Sequence, residues 1–144
     1  MDRLCSNCFR HEAVGSDMYC PRCFDTLDEW AGRWVRLLLR RCRFLVQTAT
    51  NECNIAMEEQ DVRRAVRNIT RAHTASSEAW AIADYCREVM LQLMDIQPVQ
   101  SVLLPGTVPE LEDEIMHAVE RAEEVVAFVR DAVAEIASRL RSPR

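Results

Sequence analysis

The sequence predicts a mainly α-helical protein, in which a small N-terminal module precedes a long antiparallel three-helix bundle. Hydrophobic residues make up 49% of the 144 residues, and the chain has three Gly and five Pro, a balance typical of helix-rich globular proteins. Three long segments each carry apolar residues on one helical face. Because such helices bury these faces against one another, we expect a bundle over residues 26–144 and a separate module over residues 1–25.

Two pairs of cysteines dominate the N-terminal module, Cys5 with Cys8 and Cys20 with Cys23, each pair separated by two residues. Four thiolates at this spacing complete a tetrahedral site and leave no position open for a catalytic water. They therefore predict one structural Zn²⁺. A redox dithiol, an iron–sulfur site and disulfides are the alternatives for the same residues.

These residues resemble the zinc-ribbon and zinc-knuckle family, in which a CxxC turn is followed, after a short hairpin, by a CPxC turn. The resemblance covers residues 1–25 and implies that both cysteine pairs bind the same zinc ion. It also favours a role in nucleic-acid binding, since zinc ribbons are common in proteins that act on nucleic acids. A segment this short buries little surface, so we expect its folding to depend on the metal.

The first helix is predicted over residues 27–58. Thr26 and Glu29 have the spacing of a capping box, which indicates a helix start. The predicted core face carries ten residues at helical spacing: Leu27, Ala31, Trp34, Val35, Leu38, Cys42, Leu45, Ala49, Cys53 and Ala56.

The second helix is predicted over residues 61–94, with Asp61 as its N-cap, and one long helix is favoured over two short ones. Its predicted core face follows the larger side chains: Val62, Val66, Ile69, His73, Trp80, Ala83, Met90 and Met94. Residues 97–105 are apolar, and we expect them to cover the end of this helix.

The third helix is predicted over residues 108–140, after a break at Pro105 and Gly106 and a second capping box, Thr107 with Glu110. Its predicted core face is a further apolar stripe: Leu111, Ile115, Ala118, Val119, Ala122, Val126, Val129, Val133, Ile136 and Leu140.

The first helix also carries a second, narrower apolar stripe about a quarter turn from the core face: Trp30, Leu37, Phe44 and Ile55. Side chains of this size on the outside of a bundle indicate a contact with something else. We expect the zinc ribbon to cover Trp30, and a second subunit or a protein partner to cover Leu37 and Phe44.

All 18 basic residues are Arg although the net charge is −5. A GC-rich genome explains the absence of Lys, as does selection against lysine modification in a viral or phage protein. The arginines form two helical stripes, which are either a solvated face paired with the acidic third helix or a binding surface for phosphate, nucleic acid or an acidic partner: Arg33, Arg36, Arg40 and Arg43, then Arg64, Arg67 and Arg71.

The remaining cysteines, Cys42, Cys53 and Cys86, read as buried inert thiols, and His73 and His117 as structural histidines. The sequence contains no Gly-rich phosphate loop, no nucleophile flanked by Gly and no apolar run long enough to span a membrane. We therefore expect no catalytic residues, no small-molecule substrate and no membrane partner. The N-terminus lacks the apolar core of a secretory signal, which favours an intracellular, cytoplasmic protein, or a nuclear one in a eukaryotic or viral setting.

Together these observations predict a non-enzymatic zinc-binding adaptor or regulatory protein that oligomerises or docks a protein partner through its helices, such as a phage or viral accessory factor. The alternative is a nucleic-acid-binding regulator that uses the zinc ribbon and the arginine stripes.

Overall fold

A computed structural model describes residues 4–5, 20–96 and 110–141 of the chain. These residues form three α-helices: α1 over Pro21–Glu58, α2 over Val62–Ile96 and α3 over Glu112–Arg141. Every pair of helices is in contact, so the predicted three-helix bundle is confirmed. Within the described ranges there is no strand, although Leu4 forms an isolated β-bridge. The hairpin of the predicted ribbon falls on residues 9–19, outside these ranges.

The helices run up, down and up. Residues 59–61 join the end of α1 to the start of α2. A hydrogen bond from the Cys42 thiol to the Ala79 carbonyl oxygen at 3.4 Å pairs the middle of each helix across this turn, so α2 folds back antiparallel to α1. The Arg139 guanidinium donates to the Met57 carbonyl oxygen at 3.0 Å, so the C-terminal ends of α1 and α3 lie together. The N-terminal third of α1, which carries the cysteines, extends past the first turn of α3.

Helix α1 begins at Pro21, six residues before the predicted start. Cys20 is its N-cap in an extended conformation, and Pro occupies the first helical position, where its missing amide hydrogen costs nothing. The Thr26 hydroxyl donates to the Arg22 carbonyl oxygen at 3.1 Å and lies inside the helix. The predicted capping box at Thr26 is therefore wrong, because the CPxC turn already starts the helix.

The start of α2 agrees with the sequence. The Asp61 carboxylate accepts a hydrogen bond from the Arg63 amide at 2.9 Å, which is the N-cap interaction expected of this residue. The helix then continues without a break to Ile96, and the prediction of one long helix is confirmed. The predicted cap of α3 at Thr107 and the apolar segment 97–105 lie outside the described residues.

The predicted core face of α2 is confirmed in part: Ile69, Ala83 and Met90 are buried as expected. Trp80 and Met94 remain more than 40% exposed, whereas small residues occupy the buried positions. Their spacing alternates between four and three residues, the pattern of a left-handed coiled-coil seam: Ala65, Ile69, Ala72, Ser76, Ala79, Ala83, Cys86, Met90 and Leu93. Most of the buried positions that the prediction missed carry small side chains, which allow α1 and α3 to approach α2 closely.

The predicted faces of α1 and α3 are largely confirmed, with local corrections. On α1, Trp34 is 43% exposed and Leu39 is buried in its place. On α3, Val125 and Ala132 are buried, whereas Val133 and Leu140 are exposed. In both helices the buried set follows a seven-residue repeat rather than the wider apolar stripe. None of the described helices is long and apolar enough to cross a membrane.

Candidate metal centre and outer surface of α1

Three cysteine sulfurs converge at the N-terminus of α1. The Sγ atoms of Cys5, Cys20 and Cys23 all lie within 4.8 Å of one another, with Cys5 and Cys20 buried and Cys23 partly buried. Thiolates bound tetrahedrally to zinc at about 2.3 Å lie roughly 3.8 Å apart. The observed spacing is therefore close to that of a metal-binding thiolate cluster, and these three residues can hold a metal ion.

The first turn of α1 places two of these sulfurs. Cys20 and Cys23 are three residues apart at the helix start, so their side chains lie on one side of that turn, and the Phe24 amide donates to the Cys20 carbonyl oxygen at 3.0 Å. Phe24 is buried in the core of the bundle. The position of the cluster is thus fixed by a side chain that belongs to the bundle itself.

The location also suits negatively charged sulfur. The N-terminus of a helix carries a partial positive charge, which stabilises thiolates in the first turn. Among the described cysteines the sequence placed Cys5, Cys20 and Cys23 in one site, and the structure brings these three together. The fourth predicted ligand, Cys8, lies outside the described residues.

The second predicted stripe of α1 lies on the outside of the bundle. Trp30, Leu37, Phe44 and Ile55 are 64%, 55%, 60% and 50% exposed. The expected cover of Trp30 by the zinc ribbon depends on residues 6–19, which lie outside the described ranges. The assignment of these four side chains to a partner remains a prediction.

The sequence reading missed Trp34, which it placed in the core. The Trp34 ring stacks on that of Trp30, with centroids 6.5 Å apart and 11° between the planes. Adding Trp34 to the stripe gives a row whose spacing alternates between four and three residues, which we call the outer row: Trp30, Trp34, Leu37, Arg41, Phe44, Thr48, Asn51 and Ile55. The same alternation, sought on the exposed side of α1, would have found Trp34 from the sequence.

Polar members of the outer row are held by their neighbours. The Arg41 guanidinium lies over the Phe44 ring, 5.5 Å from its centroid, and also 3.5 Å from a carboxylate oxygen of Glu78 on α2. The Thr48 hydroxyl donates to the Phe44 carbonyl oxygen at 2.9 Å. The row is thus an ordered surface in which large apolar groups alternate with internally bonded polar groups.

The arginines of α1 form a ladder beside the outer row. Arg33, Arg36, Arg40 and Arg43 are exposed, and Arg33 bonds to Glu29 at 2.6 Å. Among the described residues, Arg36, Arg40 and Arg43 make no ion pair, and no arginine of α1 or α2 pairs with α3. The interpretation that these stripes pair with the acidic third helix is therefore not supported where the structure describes them.

The second arginine stripe lines a shallow surface groove at the start of α2. Its walls are Arg64, Arg67, Asn68 and Arg71, with Glu59 at one end. Arg64 is 3.9 Å from Asp61, an exposed and weak contact. The groove concentrates positive charge at the end of the bundle opposite the cysteines.

The three cysteines of the bundle core belong to a different chemical class. Cys42, Cys53 and Cys86 are fully buried, and none forms a disulfide. Burial raises the pKa of Cys42 and Cys53 above the ordinary value of 9.0. Burial, with a smaller contribution from nearby Cys42, raises the pKa of Cys86 to about 11. These thiols stay protonated at neutral pH, as expected of inert core cysteines.

Comparison of the chain with protein-family models, with curated proteins and with solved structures finds no match.

Proposed function

We propose that the protein is a non-enzymatic, metal-stabilised adaptor that docks a protein partner on the outer surface of α1. The observation that carries this proposal is the outer row, a regular series of large exposed apolar side chains on a helix whose opposite face is already buried. Their combined exposed surface is on the order of a few hundred Å², comparable with the largest patch of a typical monomer, and such patches are often functional.

The proposed role of the metal is structural. Zinc bound by Cys5, Cys8, Cys20 and Cys23 would tie the N-terminal segment to the first turn of α1. The three described sulfurs within 4.8 Å support this assignment, as does their place at a helix N-terminus. Four thiolate ligands require a reducing compartment, consistent with an intracellular protein such as a viral or phage accessory factor.

Native mass spectrometry tests both parts of the proposal in one spectrum. We expect one zinc ion per chain, lost in Cys20→Ser and Cys23→Ser and retained in the matched core variant Cys53→Ser. A chain with four free thiols and no metal would contradict the metal assignment. The same spectrum gives the oligomeric mass, which shows whether the partner is a second copy or a different protein.

The docking surface is tested by Leu37→Glu combined with Phe44→Glu. We expect this pair to lower the oligomeric mass, or to abolish binding of a captured partner, while helicity stays unchanged because both side chains are exposed. Met116→Glu with Phe128→Glu on α3 is the matched control, since these residues are exposed to a similar extent. An unchanged mass together with unchanged binding would refute the docking role.

Nucleic-acid binding is the second candidate, and the arginine-lined groove on α2 favours it. Phosphate contacts would make binding fall steeply with salt, by about one logarithmic unit per decade of salt for each phosphate neutralised. A gel-shift titration over a salt series, with Arg64→Glu and Arg67→Glu for the groove and Arg36→Glu and Arg40→Glu for α1, tests this role. Absence of binding at low salt removes the candidate.

A further inference from the structure

We infer that the outer row of α1 takes an acidic amphipathic α-helix, whose carboxylates face the arginine ladder. This inference rests on the proposed docking function and specifies the chemistry of the partner. It combines three features of α1: the seven-residue spacing of the outer row, the positive charge beside the row, and a bundle core that is filled without the residues of the row.

The spacing indicates a helix as the partner. Positions of the outer row recur every seven residues, as Trp30, Leu37 and Phe44 do along one line and Trp34, Arg41, Thr48 and Ile55 along the next. A seven-residue repeat drifts by about 20° per heptad around a straight helix and so follows a left-handed supercoil. A second helix can wrap around α1 along this supercoiled line. A helix that lies on a flat bilayer instead carries its apolar residues with the 3.6-residue period of a straight helix.

The size of the row sets the length of the partner. From Trp30 to Ile55 the row spans 26 residues of α1. At about 1.5 Å per residue this is roughly 40 Å, so a partner helix of about seven turns covers it. Arg41, Thr48 and Asn51 interrupt the apolar positions, and polar residues within a seam fix the register of a partner helix.

The charge beside the row selects an acidic partner. Residues 33–43 contain five arginines and no acidic residue. Glu29 and Glu78 pair with Arg33 and Arg41. Arg36 and Arg40 make no ion pair among the described residues, whereas Arg43 lines a groove with Glu114 and His117 of α3. An arriving helix with Glu or Asp along its flank can therefore pair with Arg36 and Arg40. A basic flank meets like charge instead.

The same ladder disfavours a second copy of α1 as the occupant. In an antiparallel pair of identical helices, equivalent flanks face each other. Arg33 and Arg40 of one chain would then lie against the same arginines of the other. The buried seams of α1, α2 and α3 are filled by their own residues, so the outer row is not required to hold the bundle together.

The test uses three synthetic helical peptides of about 26 residues that share one leucine seam and carry Glu, Gln or Lys along the flanks. Binding is followed by the fluorescence of the chain, which reports on Trp30 and Trp34, with Trp80 as a constant background. Peptides that lack tryptophan keep the signal specific. We expect the Glu peptide to bind about fivefold more tightly than the Gln peptide, since two exposed ion pairs contribute roughly 0.5 kcal/mol each.

Charge reversal provides the matched variants. Arg36→Glu with Arg40→Glu should switch the preference from the Glu peptide to the Lys peptide. Arg64→Glu with Arg67→Glu on α2 makes the same change in net charge away from the row and should leave the preference unchanged. Leu37→Glu with Phe44→Glu should abolish binding of all three peptides, with the circular dichroism spectrum as a check on folding.

The outcomes separate this inference from the proposed function. If the three peptides bind equally and Leu37→Glu with Phe44→Glu abolishes this binding, the acidic partner is overturned and the docking surface is kept. Binding of none, or binding that the double variant does not change, overturns both. Two further results would overturn the helical partner. One is a dimer in sedimentation without peptide that Leu37→Glu with Phe44→Glu dissociates. The other is binding to phosphatidylserine vesicles that the same variant abolishes and that is tighter than binding of the Glu peptide.

Discussion

The six cysteines that the structure describes divide into two chemical classes according to their place in the fold. Cys20 and Cys23 lie in the first turn of α1, where the helix dipole favours thiolate, and converge with Cys5. Cys42, Cys53 and Cys86 lie in the middle of the bundle, where burial favours the protonated thiol. Position in the fold thus decides which cysteines are suited to bind a metal and which simply fill the core.

At alkaline pH, the free energy of unfolding should fall because of Cys86. Its pKa is about 11 in the folded chain against an ordinary value of 9.0. Below pH 9 both states keep the proton and stability is independent of this group. Between about pH 9 and 11 the unfolded chain loses a proton that the folded chain retains, so one thiol lowers stability by up to about 1.4 kcal/mol per pH unit.

Urea denaturation at a series of pH values measures this effect. The Cys86→Ala variant has lower stability at every pH but should show a shallower decline above pH 9. Exposed Ala81 provides the internal comparison, because Ala81→Ser involves no titratable group and should keep the slope of the parent chain. Equal slopes for Cys86→Ala and the parent chain would show that Cys86 does not cause the decline.

At the scale of single elements, the repeat of small residues on α2 controls how closely the helices pack. Ala72, Ala79 and Ala83 are fully buried. Leucine at such a position adds three carbon atoms to an interface with no space for them. Ala79→Leu should therefore lower the free energy of unfolding by about 1–3 kcal/mol.

The matched control for this substitution is two residues away. Ala81 is exposed on the same helix, so Ala81→Leu should change stability by less than about 0.5 kcal/mol. Thermal or urea denaturation of the two variants measures the difference directly. Equal stabilities for Ala79→Leu and Ala81→Leu would mean that the interface at Ala79 is loose enough to accept the larger side chain.

The elements themselves were predictable to different degrees. Three long helices, the cap at Asp61 and the convergence of Cys5, Cys20 and Cys23 follow from local chemistry that the sequence displays. The start of α1 did not follow from its capping box, because Pro21 in the CPxC turn is an equally good helix start and lies earlier in the chain. The buried face of α2 did not follow from hydrophobicity, because Ala contributes little to an apolar stripe yet determines the interhelical distance.

Most of the outer row could be predicted from the sequence. Its exposed residues were recognised from the sequence because they are large and spaced by seven. Trp34 was misplaced, since aromatic size favoured the core although the turn of the helix points it outward, beside Trp30.

For the molecule as a whole, the candidate metal centre lies apart from most of the bundle core, and we expect the two to contribute to stability separately. The cysteine cluster lies at one end of α1, whereas the core extends along all three helices. Removal of the metal by a chelator should therefore leave the bundle folded, with a loss of far-ultraviolet ellipticity of no more than roughly a tenth, because long helices are held mainly by tertiary packing.

Circular dichroism before and after chelation tests this separation, with Cys20→Ser as a metal-free reference. A cooperative loss of most helicity on chelation would instead show that the bundle needs the metal to fold. The same samples report on the outer row, because Trp30 lies two helical turns after Cys23. On chelation, the fluorescence of the parent chain should change more than the fluorescence of the Trp30→Phe variant.

Helix α1 is a single continuous element of 38 residues that starts at the cysteine cluster and ends beside the turn to α2. At about 1.5 Å per residue it is roughly 57 Å long. The cysteine cluster therefore marks a fixed origin from which distances along the helix can be measured. If the site is loaded with paramagnetic Co²⁺, nuclear relaxation of any molecule lying along the helix will fade steeply with distance from that origin, so the orientation and register of a bound partner can be read from a gradient along its own sequence.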